Sequence, residues 1–337
     1  MADLQVDAQI HGLTAEAVQI SKAADQMGFD GIWPHEAFHE PFLPLPLVSE
    51  YTDLQFGTRI ALAFSRSPML LAYLGWDLAN YSDGRFYLGI GTQVGAHIRR
   101  RFSMDYEPPG PRLREYVESI QHIWDVFQGE VDELDYEGEF YSFSLLPEYF
   151  NPGPIDHPDI PIYLAGMNEY NVSVAGELAD GIVLHPFNTP SYTNDVIQGY
   201  LKQGAERGER SVDDVTISVC PPVITGETEA EVAENREDTR QQIAFYGSTP
   251  SYHTVFEHHG WEDTGEKLHE LSRDGQWGDM PELISDEMLD TFAIEAPVES
   301  LAAEIDRKYG DVADRVMLDD FGGEAYWEDV VSDLKRE

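Results

Sequence analysis

The chain has 337 residues, with 63 Asp and Glu against 21 Lys and Arg and a formal net charge of −42. A field of that sign repels nucleic acid and anionic membranes, and no stretch approaches the roughly 20 apolar residues of a membrane span. The single cysteine, Cys220, excludes an internal disulfide framework and lies in an apolar run, where core packing is expected.

In chain order, a first strand is predicted over 4–10, followed by a helix over 14–27. Its apolar residues Ala17, Val18, Ile20, Ala24 and Met27 recur at helical spacing, and Gly28 ends it. The second run, 31–33, leads into a proline-rich loop, and the third, 56–64, into a helix over 68–81 that opens on Pro68. The fourth run covers 85–91 and is followed by a helix over 111–127 with Leu113, Val117, Ile120, Trp124 and Phe127 on one face. Residues 129–146 read as an inserted hairpin, since Gly138 sits between two aromatic runs. The fifth run, 162–166, precedes a helix over 168–178; the sixth and seventh cover 181–185 and 215–220. Residues 247–292, rich in His, Trp, Gly and acids, read as a helical insertion that partly covers the mouth before the eighth run, 315–318.

Strands that alternate with helices demand a parallel sheet with crossovers, and eight such units close a (β/α)8 TIM barrel. The fold class is therefore α/β, with residues 1–337 forming one barrel domain. Chemistry is expected at the C-terminal ends of its strands.

Four clusters fall at those ends. The first is His35-Glu36-x-x-His39, whose spelling on a helix would place two imidazoles on one zinc ion and make a zinc hydrolase. Pro34 before it and Pro41, Pro44 and Pro46 after it disfavour a helix. A polar loop that offers Glu36 or His39 for proton transfer is the preferred reading, and no metal is expected. In the second cluster Arg59 lies inside an apolar run and needs a partner. The third, residues 84–93, holds a glycine spacing that is weak by itself. In the fourth, Gly166, Met167 and Asn168 lead into a helix whose first amides suit a phosphate.

These residues resemble the bacterial-luciferase-like flavin and deazaflavin oxidoreductases over almost the whole chain. The resemblance is carried by Ala23-Ala24, by Met27-Gly28-Phe29-Asp30-Gly31-Ile32-Trp33 and by residues 57–68. It continues in Ser82-Asp83-Gly84-Arg85-Phe86, Gly89-Ile90-Gly91, Ala175-Gly176-Glu177 and Ala179-Asp180-Gly181. Arg66-Ser67-Pro68-Met69 and residues 97–104, 245–252 and 258–261 look more like the branch that uses coenzyme F420. The resemblance implies a luciferase-like barrel that holds coenzyme F420 in its mouth and transfers a hydride to or from a small organic substrate. An FMN-dependent monooxygenase is the alternative. It also implies that the cofactor meets Arg59, Ile60, Ala61, Gly91, Thr92, Gly166, Met167 and Asn168, with its phosphate near the last three. A non-prolyl cis peptide is implied at Arg59–Ile60, and a dimer or tetramer of identical chains as the assembly. One departure stands out. Where the deazaflavin branch carries Asp-His, this chain has Glu36 and Ala37, so His35 or His39 would have to substitute for the histidine or the proton come from elsewhere, and Glu36 or His39 is expected to handle it. The acidic surface and lone cysteine fit the reducing cytoplasm of a halophile, because molar salt shortens the screening length to about 3 Å.

Overall fold

The computed structural model of the protein describes residues 4–10, 12, 14–318, 321 and 324–335. Eight parallel strands form a closed ring: β1 (Gln5–Ile10), β2 (Gly31–Pro34), β3 (Gln55–Gly57, resuming at Ala61–Leu62), β4 (Phe86–Gly91), β5 (Ile162–Ala165), β6 (Gly181–Val183), β7 (Thr216–Val219) and β8 (Arg315–Leu318). Each strand pairs with its sequence neighbours. β8 closes on β1 with Gln5 opposite Arg315 and Ala8 opposite Leu318, so the predicted (β/α)8 barrel is the fold. Among the described residues no helix is long and apolar enough to cross a membrane.

The third run departs from a plain strand. It breaks after Gly57, and the Arg59–Ile60 peptide bond is cis, at the position the resemblance implies. The break has local causes. A Cβ on Gly57 would overlap the Tyr87 carbonyl oxygen, and one on Gly89 would overlap that of Thr58, so both glycines let β3 and β4 approach closely. The Thr58 hydroxyl donates to the Gly89 carbonyl at 2.6 Å and fixes the register across the break.

Helices cover the outside of the ring. Pro68–Tyr81 opens on its proline, with the Ser67 hydroxyl accepting from the Leu70 amide. Pro109–Gln128 ends at Gly129, whose φ of 82° is left-handed. The predicted hairpin is present as Tyr136–Glu137 against Ser142–Phe143. Buried Glu115 accepts from the amides of Glu139, Phe140 and Tyr141, which ties its turn to the helix beneath.

Residues 247–292 are largely helical, with His253–His259, Glu262–Asp274 and Asp286–Phe292. Their aromatic side chains pack together: Phe187, just beyond β6, stacks on Phe292 at 4.6 Å and meets Phe256 edge-on at 5.0 Å. A two-residue parallel pair links Val223–Ile224, just after β7, to Ile294–Glu295, just after this region.

Candidate active site

A cavity of about 850 Å³ opens at the C-terminal ends of the strands, a size that takes a cofactor-sized ligand. Every barrel strand or the loop after it contributes, from Gln9 of β1 to Met317 of β8, with Tyr246, Ser251 and Tyr252 closing one side. Ser251 and Tyr252 are the residues of the 247–292 segment that line the cavity.

The break in β3 places Arg59 and Ile60 in the cavity wall. The Arg59 amide donates to the Pro34 carbonyl at 2.9 Å, while Nη1 donates to Ser218 Oγ at 2.9 Å. The buried guanidinium thus spans the barrel from β3 to β7 and holds a fixed positive charge against the cavity. Ala61 and Gly91 are buried behind that wall and do not line it. A Cβ on Gly91 would overlap the end of the Ile60 side chain, so this glycine makes room for Ile60. Thr92, just beyond Gly91, lines the cavity.

Glu36 also lines the cavity, but its carboxylate is engaged. Oε2 accepts from the Leu62 amide at 2.8 Å and from Arg66 Nη1 at 2.6 Å, and Arg66 in turn holds Glu40 at 2.7 Å. Glu36 thereby ties the loop after β2 to the resumed half of β3. Beside it, Gln9 Nε2 donates to His35 Nδ1 at 2.8 Å. His39 is exposed and lies outside the cavity lining. The expectation that it exchanges a proton there finds no contact with the cavity, and the chain turns back into buried packing at Pro41 and Phe42. Residues 35–40 are not helical, and among the described residues no trio of His, Cys, Asp and Glu is placed to hold a metal ion. The His35-Glu36-x-x-His39 spelling therefore lacks the helix that would set its two imidazoles one turn apart.

Gly166, Met167 and Asn168 line the opposite wall, where Asn168 precedes the helix Glu169–Leu178. The Gly166 amide is taken by the Val183 carbonyl at 3.3 Å, so an anion would find its donors at Met167 and beyond. Fixed positive charge on one wall and a helix start on the other fit a planar ring that carries an anionic arm.

Among the cavity residues that escaped sequence reasoning are Cys220 and His185. Cys220 is buried as expected, yet it also forms part of the cavity lining with Met317. His185 lies just beyond β6. Its Nδ1 accepts from the Phe187 amide at 3.0 Å, and its ring packs on Tyr246 at 4.6 Å and Tyr252 at 4.5 Å. Burial pushes its pKa down to about 4. Its signal was present: it is the last residue of an apolar run, at the strand end that carries chemistry in a barrel.

Comparison with known proteins agrees with this architecture. The model of the luciferase-like monooxygenase family matches residues 4–315. An uncharacterised protein of Mycobacterium tuberculosis is 42% identical over 315 residues, covering 93% of this chain and 92% of that protein. The 5,10-methylenetetrahydromethanopterin reductase of Archaeoglobus fulgidus is 28% identical over 286 residues, covering 81% and 80%. The solved coenzyme F420 dependent tetrahydromethanopterin reductase from Methanopyrus kandleri superposes with a TM-score of 0.78 at 19% identity, covering 100% of this chain and 98% of that one, and so shares the fold. With a closed parallel barrel, a C-terminal mouth cavity and this extent of similarity, the chain belongs to the luciferase-like monooxygenase family.

Proposed function

We propose that the protein is a coenzyme F420-dependent oxidoreductase that moves a hydride between the deazaflavin and a small organic molecule. The observation that carries this reading is the cavity itself, which brings Arg59 and Ile60 of β3 to face a volume also lined by Gly166, Met167 and Asn168. Similarity to an F420-dependent glucose-6-phosphate dehydrogenase of Amycolatopsis mediterranei, 25% identical over 59% of this chain, supports the deazaflavin over FMN, its competitor for the same site.

When bound, the deazaflavin supplies or accepts the hydride. The chain would bind and orient it: Ile60 and Arg59 would form the wall against the ring, and the amides from Met167 onward would hold the anionic arm. Glu36 positions that wall through Leu62 and Arg66, and of the two proton-handling candidates it alone faces the cavity. The acidic surface and the single cysteine support a reducing, salt-rich cytoplasm as its setting, and a dimer or tetramer as its assembly follows from the resemblance.

Thermal-shift titration in molar KCl tests the cofactor. A ligand at 100 times its dissociation constant adds about 2.7 kcal/mol of stability. Coenzyme F420 is expected to raise the melting point well above the value with FMN. The reverse order makes the protein an FMN enzyme, and no response to either ligand overturns the reading.

A further inference from the structure

We propose that His185 is a fixed, uncharged hydrogen-bond donor that recognises an acceptor oxygen of the substrate, such as a ketone or alcohol oxygen. This rests on the oxidoreductase reading above and names the chemistry of its substrate. The Nδ1 lone pair of His185 is occupied by the Phe187 amide, so in the neutral ring the proton sits on Nε2. Among the described residues Nε2 has no hydrogen-bond partner, and the ring lines the cavity. Tyr246 meets it at an interplanar angle of 83° and Tyr252 at 37°, which holds the ring in one orientation.

The charge state follows from the same surroundings. The titratable groups packed on the ring are the phenols of Tyr246 and Tyr252, and burial raises the Tyr252 pKa above the ordinary phenol value. Burial alone shifts the imidazole, and it shifts it toward the uncharged form. A neutral imidazole of this kind can polarise an oxygen while keeping its own proton. His185 therefore selects a ligand with a lone pair to offer and transfers no proton itself. The loop after β2 brings His35 to the cavity, and His185 adds a second imidazole from another strand.

The test uses the full chain in molar KCl, labelled with 15N-histidine, and cyclohexanone as the probe. Its control is methylenecyclohexane, which has the same shape without the acceptor oxygen. The His185 resonances are expected to show the Nε2–H tautomer unchanged from about pH 5.5 to 8.5. Cyclohexanone should shift the Nε2–H signal, and methylenecyclohexane should not. The variant His185→Phe keeps the aromatic packing and removes the donor. It should weaken cyclohexanone binding about 3- to 10-fold in ligand-observed spectra, the range of one neutral hydrogen bond. His185→Gln, which regains an N–H, should recover most of that loss. A resonance that titrates near the ordinary histidine value, a proton found on Nδ1, or equal ketone affinity in His185→Phe overturns the proposal. None of these measurements includes cofactor, so their failure is separate from failure of the thermal-shift titration.

Discussion

Arg315 and Asp7 form the most buried ion pair described in the protein, with side chains 2% and 0% exposed. Nε and Nη2 of Arg315 donate to the two Asp7 oxygens at 2.9 and 2.6 Å, and Nη1 reaches the side chains of Gln5 and Gln55. Asp7→Asn or Arg315→Met alone leaves a charge buried without its counterpart, so either should lower stability by about 3–5 kcal/mol. Asp7→Leu combined with Arg315→Met should recover most of that, and a double-mutant cycle by denaturant unfolding in molar salt checks it. His185 gives a pH signature. Its folded-state pKa, about 4, lies below the ordinary 6.5, so the unfolded chain binds more protons between those values. Stability contributed by the neutral ring is complete above pH 6.5 and is lost as pH falls toward 4, by up to about 1.4 kcal/mol per pH unit. Unfolding curves across that window should be flatter in His185→Phe than in the wild type.

At the scale of the element, the broken third strand organises the site. Gly57 and Gly89 each lie against a carbonyl oxygen of the neighbouring strand, and Gly57 also against the Trp33 ring, so an added methyl meets backbone that cannot swing aside. Gly57→Ala and Gly89→Ala should each lower stability by about 1–3 kcal/mol. Because the displaced backbone carries Arg59 and Ile60, both variants should also weaken cofactor-induced stabilisation in the thermal-shift assay. Ala24→Gly, in the helix Thr14–Gln26 far from the mouth, should reduce stability without that second effect. The break was half legible in the sequence. Gly57 and the polar Thr58-Arg59 pair interrupt an apolar run, but the partner that lets Arg59 stay buried, Ser218, lies 159 residues away and is set by barrel closure.

At the scale of the whole molecule, electrostatics and packing pull apart. Many of the basic side chains already hold acids: Arg114 reaches Glu118 and Glu177, and Arg236 and Arg240 share Asp286. Most of the 63 acids therefore face one another across solvent, with five lysines in the whole chain to offset them. Screening that repulsion should raise the melting point steeply between about 0.1 and 2 M KCl. A flat or falling melting curve over that range would refute the salt-adapted reading.

The sequence by itself determined the barrel, because eight apolar runs with intervening helical faces leave few other ways to bury their surface. It also determined which strand ends to search, and through Gly57, Gly89 and the 166–168 turn it marked two of the cavity walls. Only the tertiary structure decided what those ends do. His39 and Glu36 are three residues apart, yet one is exposed and the other is locked against Arg66, since a proline-rich loop follows packing rather than periodicity. His185 gained its tautomer from Phe187, two residues on, but its burial and its place in the mouth came from Tyr246 and Tyr252, more than sixty residues away. Local spacing fixes which groups alternate along a strand, whereas which groups meet across a barrel depends on closure of the whole ring.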